Sequence, residues 1–372
     1  MTTILFILNP ISGTVSKSNI RDLIDRYVDK TRFDCSVCYT EYAGHATEMA
    51  HRAAEKGVDV VVAVGGDGTV NEVARGLVNT KSALAIIPCG SGNGLARHLM
   101  LPLDVKQAIS VINELEIHCL DYGVIDNHPF LCTCGIGFDA FIAERFAGAG
   151  KRGMMTYLEK IFKDGLTYEA ETYEYSIDDG EPVEKKAWLI SCANASQYGN
   201  DAYIAPNASM KDGLLDIVVM DPVGVQNAVS VNMEMINKTL DKNSNIQTFK
   251  GKSLVIKRKS EGYVHYDGEP AMAPAEVKIH LVERGINIVV NRNANKKKRR
   301  PNMFQLAMSK FFYDVDELQR SIVERSQGLL EQGKNLQKDL VETGKNIQKD
   351  IVEKGKNIQK INQGILNKLT KK

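Results

Sequence analysis

Val58-Asp59-Val60-Val61-Val62-Ala63-Val64-Gly65-Gly66-Asp67-Gly68-Thr69-Val70-Asn71-Glu72-Val73 decides the fold class. Val58 to Val64 is mostly β-branched and apolar and reads as a buried strand, too short to cross a membrane. Gly65, Gly66 and Gly68 then end it, and Val70 to Val78 has helical spacing with few breakers. A strand, a glycine turn and a helix start together make an anion site: bare amides approach a phosphate closely, and the helix dipole favours its charge. Asp67 stands inside that loop, where an acid beside phosphates makes sense chiefly through a divalent cation. An ordinary βα turn uses glycine for positive φ but needs fewer of them.

The pattern repeats on either side. Thr3 to Leu8 is a strand, followed by the breakers Asn9-Pro10-Ile11-Ser12-Gly13. Ile20 to Val28 reads as a helix, Cys35 to Thr40 as a strand, and Ala46 to Lys56 as a second helix ending at Gly57. Ala83 to Pro88 is the next strand, and Cys89-Gly90-Ser91-Gly92-Asn93-Gly94 opens a short helix through Leu95 to Leu99. This β and α alternation predicts a parallel, doubly wound sheet with three polar loops at one edge, where such folds bind ligands.

From about Cys119 the rhythm changes to hairpins. Strands are expected at Asp121 to Ile125, Pro129 to Cys134, Thr172 to Ile177, Val183 to Ala193, Leu214 to Met220, Ser253 to Lys257, Val277 to Val282 and Ile286 to Val290. A mostly antiparallel β-sandwich is the natural second domain. Helices at Ala140 to Phe146 and Met154 to Gly165 carry Phe141, Met155, Tyr157 and Phe162, either as core or as the wall of an acyl-chain cleft. The expected domains are residues 1–118 (α/β), 119–295 (β-sandwich) and 296–372 (an amphipathic helical tail). Two acidic turns lie in the second: Lys211-Asp212-Gly213-Leu214-Leu215-Asp216 and Tyr266-Asp267-Gly268-Glu269-Pro270. The spacing of Asp212 and Asp216 suits an oxygen-ligated cation and equally a plain Asp-Gly turn.

Composition narrows the class. Of the chain's 372 residues, 43% are hydrophobic, enough for real cores, and no run reaches the length of a membrane-spanning helix. Met1 to Pro10 has no basic segment or small-residue cleavage site and reads as a first strand, not a signal peptide. Seven scattered cysteines in apolar contexts point to reduced thiols and a cytoplasmic address. Residues 296–372 hold 18 of the 47 Lys and Arg but 9 of the 46 Asp and Glu, so the tail carries +9 and the body −8. The tail opens with five consecutive cations, Lys296 to Arg300, and continues in eleven-residue repeats at Gly333 to Thr343, Gly344 to Lys354 and Gly355 to Lys360. A glycine in each repeat disfavours a stable helix in water, by about 1 kcal/mol against alanine. A helix forming on an anionic membrane surface fits best, and self-association into a homo-oligomer or an inert tail are the other readings. Nucleic acid is not expected as a partner.

Gly65 to Glu72 resembles the nucleotide loop of the diacylglycerol kinase catalytic-domain family, which includes bacterial lipid kinases, sphingosine kinases and ceramide kinases. Asn9 to Gly13 matches the family's first nucleotide motif, and Gly90 to Asn93 resembles its Pro-x-Gly-[Thr/Ser]-x-Asn element. Many diacylglycerol kinase relatives carry Asp where this chain has Gly94. Gly135 to Ala140, Lys211 to Asp216 and Tyr266 to Pro270 also match, and Asn194, Tyr198 and Gly199 fall in a segment the family uses near the nucleotide. The resemblance covers about residues 1–293 and implies an ATP- and Mg2+-dependent kinase with its site between the two domains. It implies nucleotide contacts from Asn9, Pro10, Ser12, Gly13, Gly65, Gly66, Asp67, Gly68, Thr69, Asn71, Glu72, Gly90, Ser91, Gly92 and Asn93. Asp67 would meet the metal or the phosphates, Asp212 and Asp216 are further metal candidates, and Asp267, supported by Glu269, would be the base. The implied reaction is phosphorylation of a membrane lipid, most simply diacylglycerol to phosphatidic acid, by a cytoplasmic enzyme bound peripherally to the membrane. A sphingoid base, a ceramide or NAD as acceptor, and a non-catalytic membrane adaptor, are the alternatives.

Overall fold

The computed structural model describes residues 1–11, 19–148, 168–222 and 225–294, all within one compact unit, Met1–Gln305. The tail repeats and the helix expected at 154–165 lie outside the described residues.

The first half alternates as its composition predicts: β1 (Thr2–Leu8), α1 (Ile20–Tyr27), β2 (Phe33–Tyr39), α2 (His45–Glu55), β3 (Val60–Gly65), α3 (Asp67–Leu77), β4 (Ala83–Pro88), α4 (Gly94–His98) and α5 (Val105–Glu114). Strands run parallel in the order β2-β1-β3-β4. Every residue of β3 and β4 is buried, as expected of continuous Val, Ala and Ile runs covered by helices on both faces. Gly76 lets α3 lie against α2, since a Cβ there would come within 2.5 Å of the Thr47 carbonyl oxygen. One boundary differs from the periodicity in a way that matters. α3 begins at Asp67, not Val70, so Asp67, Gly68 and Thr69 form its first turn, where the dipole favours an acid.

The second half is β5 (Ile117–Ile125), β6 (His128–Phe130), β7 (Thr133–Gly137), α6 (Phe138–Gly148), β8 (Glu171–Ile177), β9 (Val183–Ala187), β10 (Leu189–Ala193), β11 (Leu215–Met220), a helix at Val225–Asn237, β12 (Ile246–Gly251), β13 (Ser253–Lys257), β14 (Gly262–Tyr266), β15 (Glu269–Ala273) and β16 (Glu276–Val289). A six-stranded sheet runs β12-β11-β10-β7-β14-β15 and is antiparallel throughout. β5, β6, β8, β9, β13 and β16 extend the first sheet to ten strands. Between the two sheets Ile136, Ile190, Ile217 and Val264 meet Tyr173, Tyr175, Ile256 and Ile279 in a single core.

Two strands defeat a purely local reading. Val183 to Ala193, expected as one strand, is two, paired into different sheets. The chain changes sheet at Trp188, whose amide donates to the Met220 carbonyl and whose ring stacks on Phe138 at 3.9 Å. Conversely, the strands expected at Val277 to Val282 and Ile286 to Val290 are one, β16, with a register shift between Val282 and Ile286. Its first part pairs with β13, and Asn287 and Ile288 pair parallel with β4.

Candidate active site

β1, β3 and β4 end side by side at the carboxyl edge of the parallel sheet. The Asn9 amide donates to the Val64 carbonyl (3.3 Å) and the Cys89 amide to the Gly65 carbonyl (2.7 Å), so the three loops are joined at their roots. Asn9 closes its own turn by accepting the Ile11 amide at 3.1 Å. Pro10 is exposed beside it, and Ser12 and Gly13 lie outside the described residues. A Cβ on Gly90 would come within 2.7 Å of the Gly66 Cα; glycine is needed where the second and third loops touch.

Asp67 fastens those two loops together. Its Oδ2 accepts the Asn93 amide at 2.8 Å and its Oδ1 the Gly94 amide at 2.6 Å. Burial pushes its carboxyl above the usual range, against the pull of those amides and of Arg97. Asn93, at φ +53°, folds back on Gly90, accepting its amide (2.9 Å) and donating to its carbonyl (2.7 Å). Gly68 and Ser91 are exposed and Gly92 is half-buried. Thr69 is buried, and its Oγ1 has no hydrogen-bond partner among the described residues. Glu72 reaches toward α2: its Oε2 accepts the Ala46 amide (3.1 Å) and its carbonyl the Thr47 hydroxyl (2.9 Å), tying α3 to the start of α2.

The third loop is held from behind by Arg97, Asp201 and Asn200, which sequence reasoning missed. Arg97 donates through Nε to the Gly92 carbonyl (2.8 Å) and through Nη1 to Asp201 (2.6 Å), a pair buried on both sides. The Asn200 amide donates to the same Gly92 carbonyl at 3.1 Å. Asn194, fully buried, bridges the Asp121 and Leu131 carbonyls at 3.0 and 2.8 Å.

Asp267 heads the turn between β14 and β15, at φ +52°. Its carboxylate accepts three successive backbone amides, Leu131 (2.8 Å), Cys132 (2.7 Å) and Thr133 (3.0 Å). Leu131 and Cys132 give their amides to this carboxylate and not to a ladder, and the strand expected over Pro129 to Cys134 breaks there into β6 and β7. Burial raises the Asp267 carboxyl, while the three amides and Arg75 pull it down. Asn71, buried on α3, donates to the Asp267 carbonyl at 3.4 Å, so the glycine-loop helix and the acidic turn meet directly. The buried Cys132 thiol is raised first by burial and then by Asp267 and Asp67 together; it lies within electrostatic reach of both carboxylates. Glu269 is drawn to Arg75 at 2.8 Å.

The Asp212 and Asp216 pair is not brought to this place. Lys250 stands between the two, 2.7 Å from Asp212 and 3.2 Å from Asp216, so an ammonium already fills the cation position that their spacing suggested. Among the described residues no three or more His, Cys, Asp or Glu side chains cluster to hold a metal ion. A second buried polar group lies on the outer face of the antiparallel sheet. His265, 2% exposed, meets Asp139 at 2.9 Å, and Asp139 and Ser191 both lie within bonding distance of the Tyr198 hydroxyl (3.3 and 3.2 Å).

His98 is a packing residue. Its Nδ1 accepts the Ser196 amide at 3.1 Å, and burial lowers its pKa to about 4. The unfolded ring titrates near 6.5, so its contribution to stability is complete above that pH and is lost as pH falls toward 4. His98→Gln is expected to flatten the acid side of the stability curve, by about 3 kcal/mol at pH 4. Urea unfolding between pH 4 and 7 measures this, and an unaltered slope would clear His98 of the effect.

Both halves of the chain resemble known proteins. Residues 3–125 match the diacylglycerol kinase catalytic domain, and residues 133–283 match the YegS C-terminal NAD kinase beta sandwich-like domain. A diacylglycerol kinase of Staphylococcus saprophyticus is 27% identical over 268 residues, spanning 71% of this chain and 87% of that protein. A diacylglycerol kinase of Bacillus subtilis is 25% identical over 279 residues, spanning 73% and 91%. The crystal structure of a putative diacylglycerol kinase from Bacillus anthracis superposes with a TM-score of 0.64 at 28% identity, covering 78% of this chain and 98% of that one.

Proposed function

We propose that this chain, which belongs to the diacylglycerol kinase catalytic-domain family of lipid kinases, transfers the γ-phosphate of ATP to the hydroxyl of diacylglycerol, giving phosphatidic acid. The observation that carries the reading is the contact between Asn71 and the Asp267 backbone. It sets an amide-rich helix start, able to hold phosphates, against a carboxylate able to take a proton. Phosphoryl transfer needs little more than phosphates held, charge neutralised and a hydroxyl aligned. The loops at Asn9, Gly65 to Thr69 and Gly90 to Asn93 would hold the phosphates through backbone amides. Asp267, immobilised by three amides, would take the hydroxyl proton.

Magnesium would enter with the nucleotide and neutralise phosphate charge. Asp67 suits it best, because each of its oxygens accepts one amide and keeps a lone pair. Asp212 and Asp216 suit it less, because the Lys250 ammonium already occupies the place between them. The direct test incubates the purified protein with labelled ATP and, separately, diacylglycerol, a sphingoid base, ceramide and NAD. Label is expected on diacylglycerol, and preferential label on another acceptor overturns that assignment. Sphingoid base and ceramide belong in the panel because this chain has Gly94 where many diacylglycerol kinase relatives carry Asp.

The basic tail, residues 296–372, would hold the enzyme on an anionic membrane, each cation contributing about 1 kcal/mol near the surface. A chain ending at Asn295 is expected to keep its activity on detergent-dispersed lipid and to lose it on anionic vesicles, as the full chain does in high salt. Equal vesicle binding by the two chains would leave self-association as the tail's role.

A further inference from the structure

We infer that Arg75 is a positioning residue that registers the Asp267 turn against the glycine-loop helix, and that Glu269 acts as its anchor and not as a second acid. The inference rests on the kinase reading for its kinetic consequence, though not for its structural one. Arg75 stands one helical turn after Asn71, on the same face of α3. Its Nη1 donates to Glu269 Oε2 at 2.8 Å, with side-chain exposures of 18% and 38%. Its guanidinium lies over the Tyr266 ring at 4.9 Å, and the His128 ring stacks on the same tyrosine at 4.5 Å.

Nε and Nη2 of Arg75 are buried without hydrogen-bond partners among the described residues, and the ring offers the guanidinium a cation–π contact. One side chain thus grips residues 266 and 269, on both sides of Asp267, from a helix nearly two hundred positions away in sequence. Asn71 holds the Asp267 carbonyl one turn earlier. The three amides from Leu131 to Thr133 orient the Asp267 carboxylate, but they belong to the same half of the molecule as the turn itself. Asn71 and Arg75 are the contacts that tie the turn to the helix bearing the phosphate loop. A carboxylate displaced by about 1 Å from a reacting hydroxyl loses on the order of a hundredfold in rate, so this grip matters to turnover more than to nucleotide binding.

The test compares Arg75→Met, Arg75→Lys and the charge swap Arg75→Glu with Glu269→Arg in the full chain. Arg75→Met is expected to lower kcat at least tenfold with KM for ATP within twofold of wild type, and the swap to recover part of the loss. Amide hydrogen exchange at Leu131, Cys132 and Thr133, measured without substrate, is expected to accelerate in Arg75→Met. Unchanged exchange with unchanged kcat overturns the inference, as does a rise in KM for ATP at constant kcat, which would make Arg75 a nucleotide contact. Near-normal kcat in Arg75→Met beside an inactive swap would return Glu269 to the chemistry and also overturn it. Should the wild-type protein phosphorylate none of the acceptors, exchange alone decides: faster exchange in Arg75→Met upholds the grip, and unchanged exchange refutes it. Arg75→Lys keeps the charge without the fork or the stacking plane. If Arg75→Met fails to fold, the lysine variant is read in its place by the same two measurements.

Discussion

Asp267→Asn is expected to lower lipid phosphorylation by about 10²–10⁴-fold, the usual loss when a positioned base is removed, while ATP still binds. Asparagine suits the position, since it has nearly the same shape and tolerates the positive φ of this turn. Its Oδ1 can keep the Cys132 and Thr133 amides, whereas its Nδ2 would confront the Leu131 amide as donor against donor. The cost in stability should therefore be about 1–3 kcal/mol, for one unsatisfied buried group, much less than the loss in rate. Turnover on diacylglycerol micelles and calorimetric titration with ATP separate the two effects. Parallel collapse of ATP affinity would make Asp267 a nucleotide or metal contact, and near-normal turnover would remove it from the reaction.

Asp67→Ala is expected to cost at least a hundredfold in kcat/KM, the scale of losing one preorganised charge beside a phosphoryl group. The structure adds a second consequence. Two amides, those of Asn93 and Gly94, lose their acceptor, and the third loop is released from the second. Affinity for ATP should weaken together with turnover, unlike the Asp267 variant. Asp67→Asn, which keeps one acceptor, should fall between alanine and wild type. Steady-state kinetics over a range of ATP, with circular dichroism as a check on folding, measures both. Normal kinetics in Asp67→Ala would show that the loops hold each other without it.

Much of this was legible in the sequence because it is written in local signals. A Val-rich run ended by clustered glycines reports its own burial and its own turn, and β3, β4 and the α/β half follow from such runs. What was not legible is partnership. Nothing near Asp67 points to Asn93, and nothing near Asp267 points to the amides of Leu131 to Thr133. Topology alone brings them together. Asp212 and Asp216 show the limit clearly: a pair of carboxylates asks for a cation, and spacing cannot say whether that is an ion or an ammonium 38 positions away. At Trp188 a charged, mostly exposed strand (Val183–Ala187) gives way to a fully buried one (Leu189–Ala193), but a shift in composition does not by itself say that the pairing partner changes.

β16 has a consequence for biosynthesis. The strand segment that completes the α/β half beside β4 is made of Asn287 and Ile288, and Ile286, Ile288, Val289 and Val290 fill the same core as β1 to β4. A ribosome emits the amino-terminal half long before those residues exist. Until they arrive, the fully apolar edge of β4 has no neighbour and stays open to other chains. The amino-terminal half should therefore be a poor independent expression product, and its native packing should appear only when synthesis is nearly finished. A stalled nascent chain ending before β16 is expected to be protease-sensitive throughout its first hundred residues, although every nucleotide loop has already been translated.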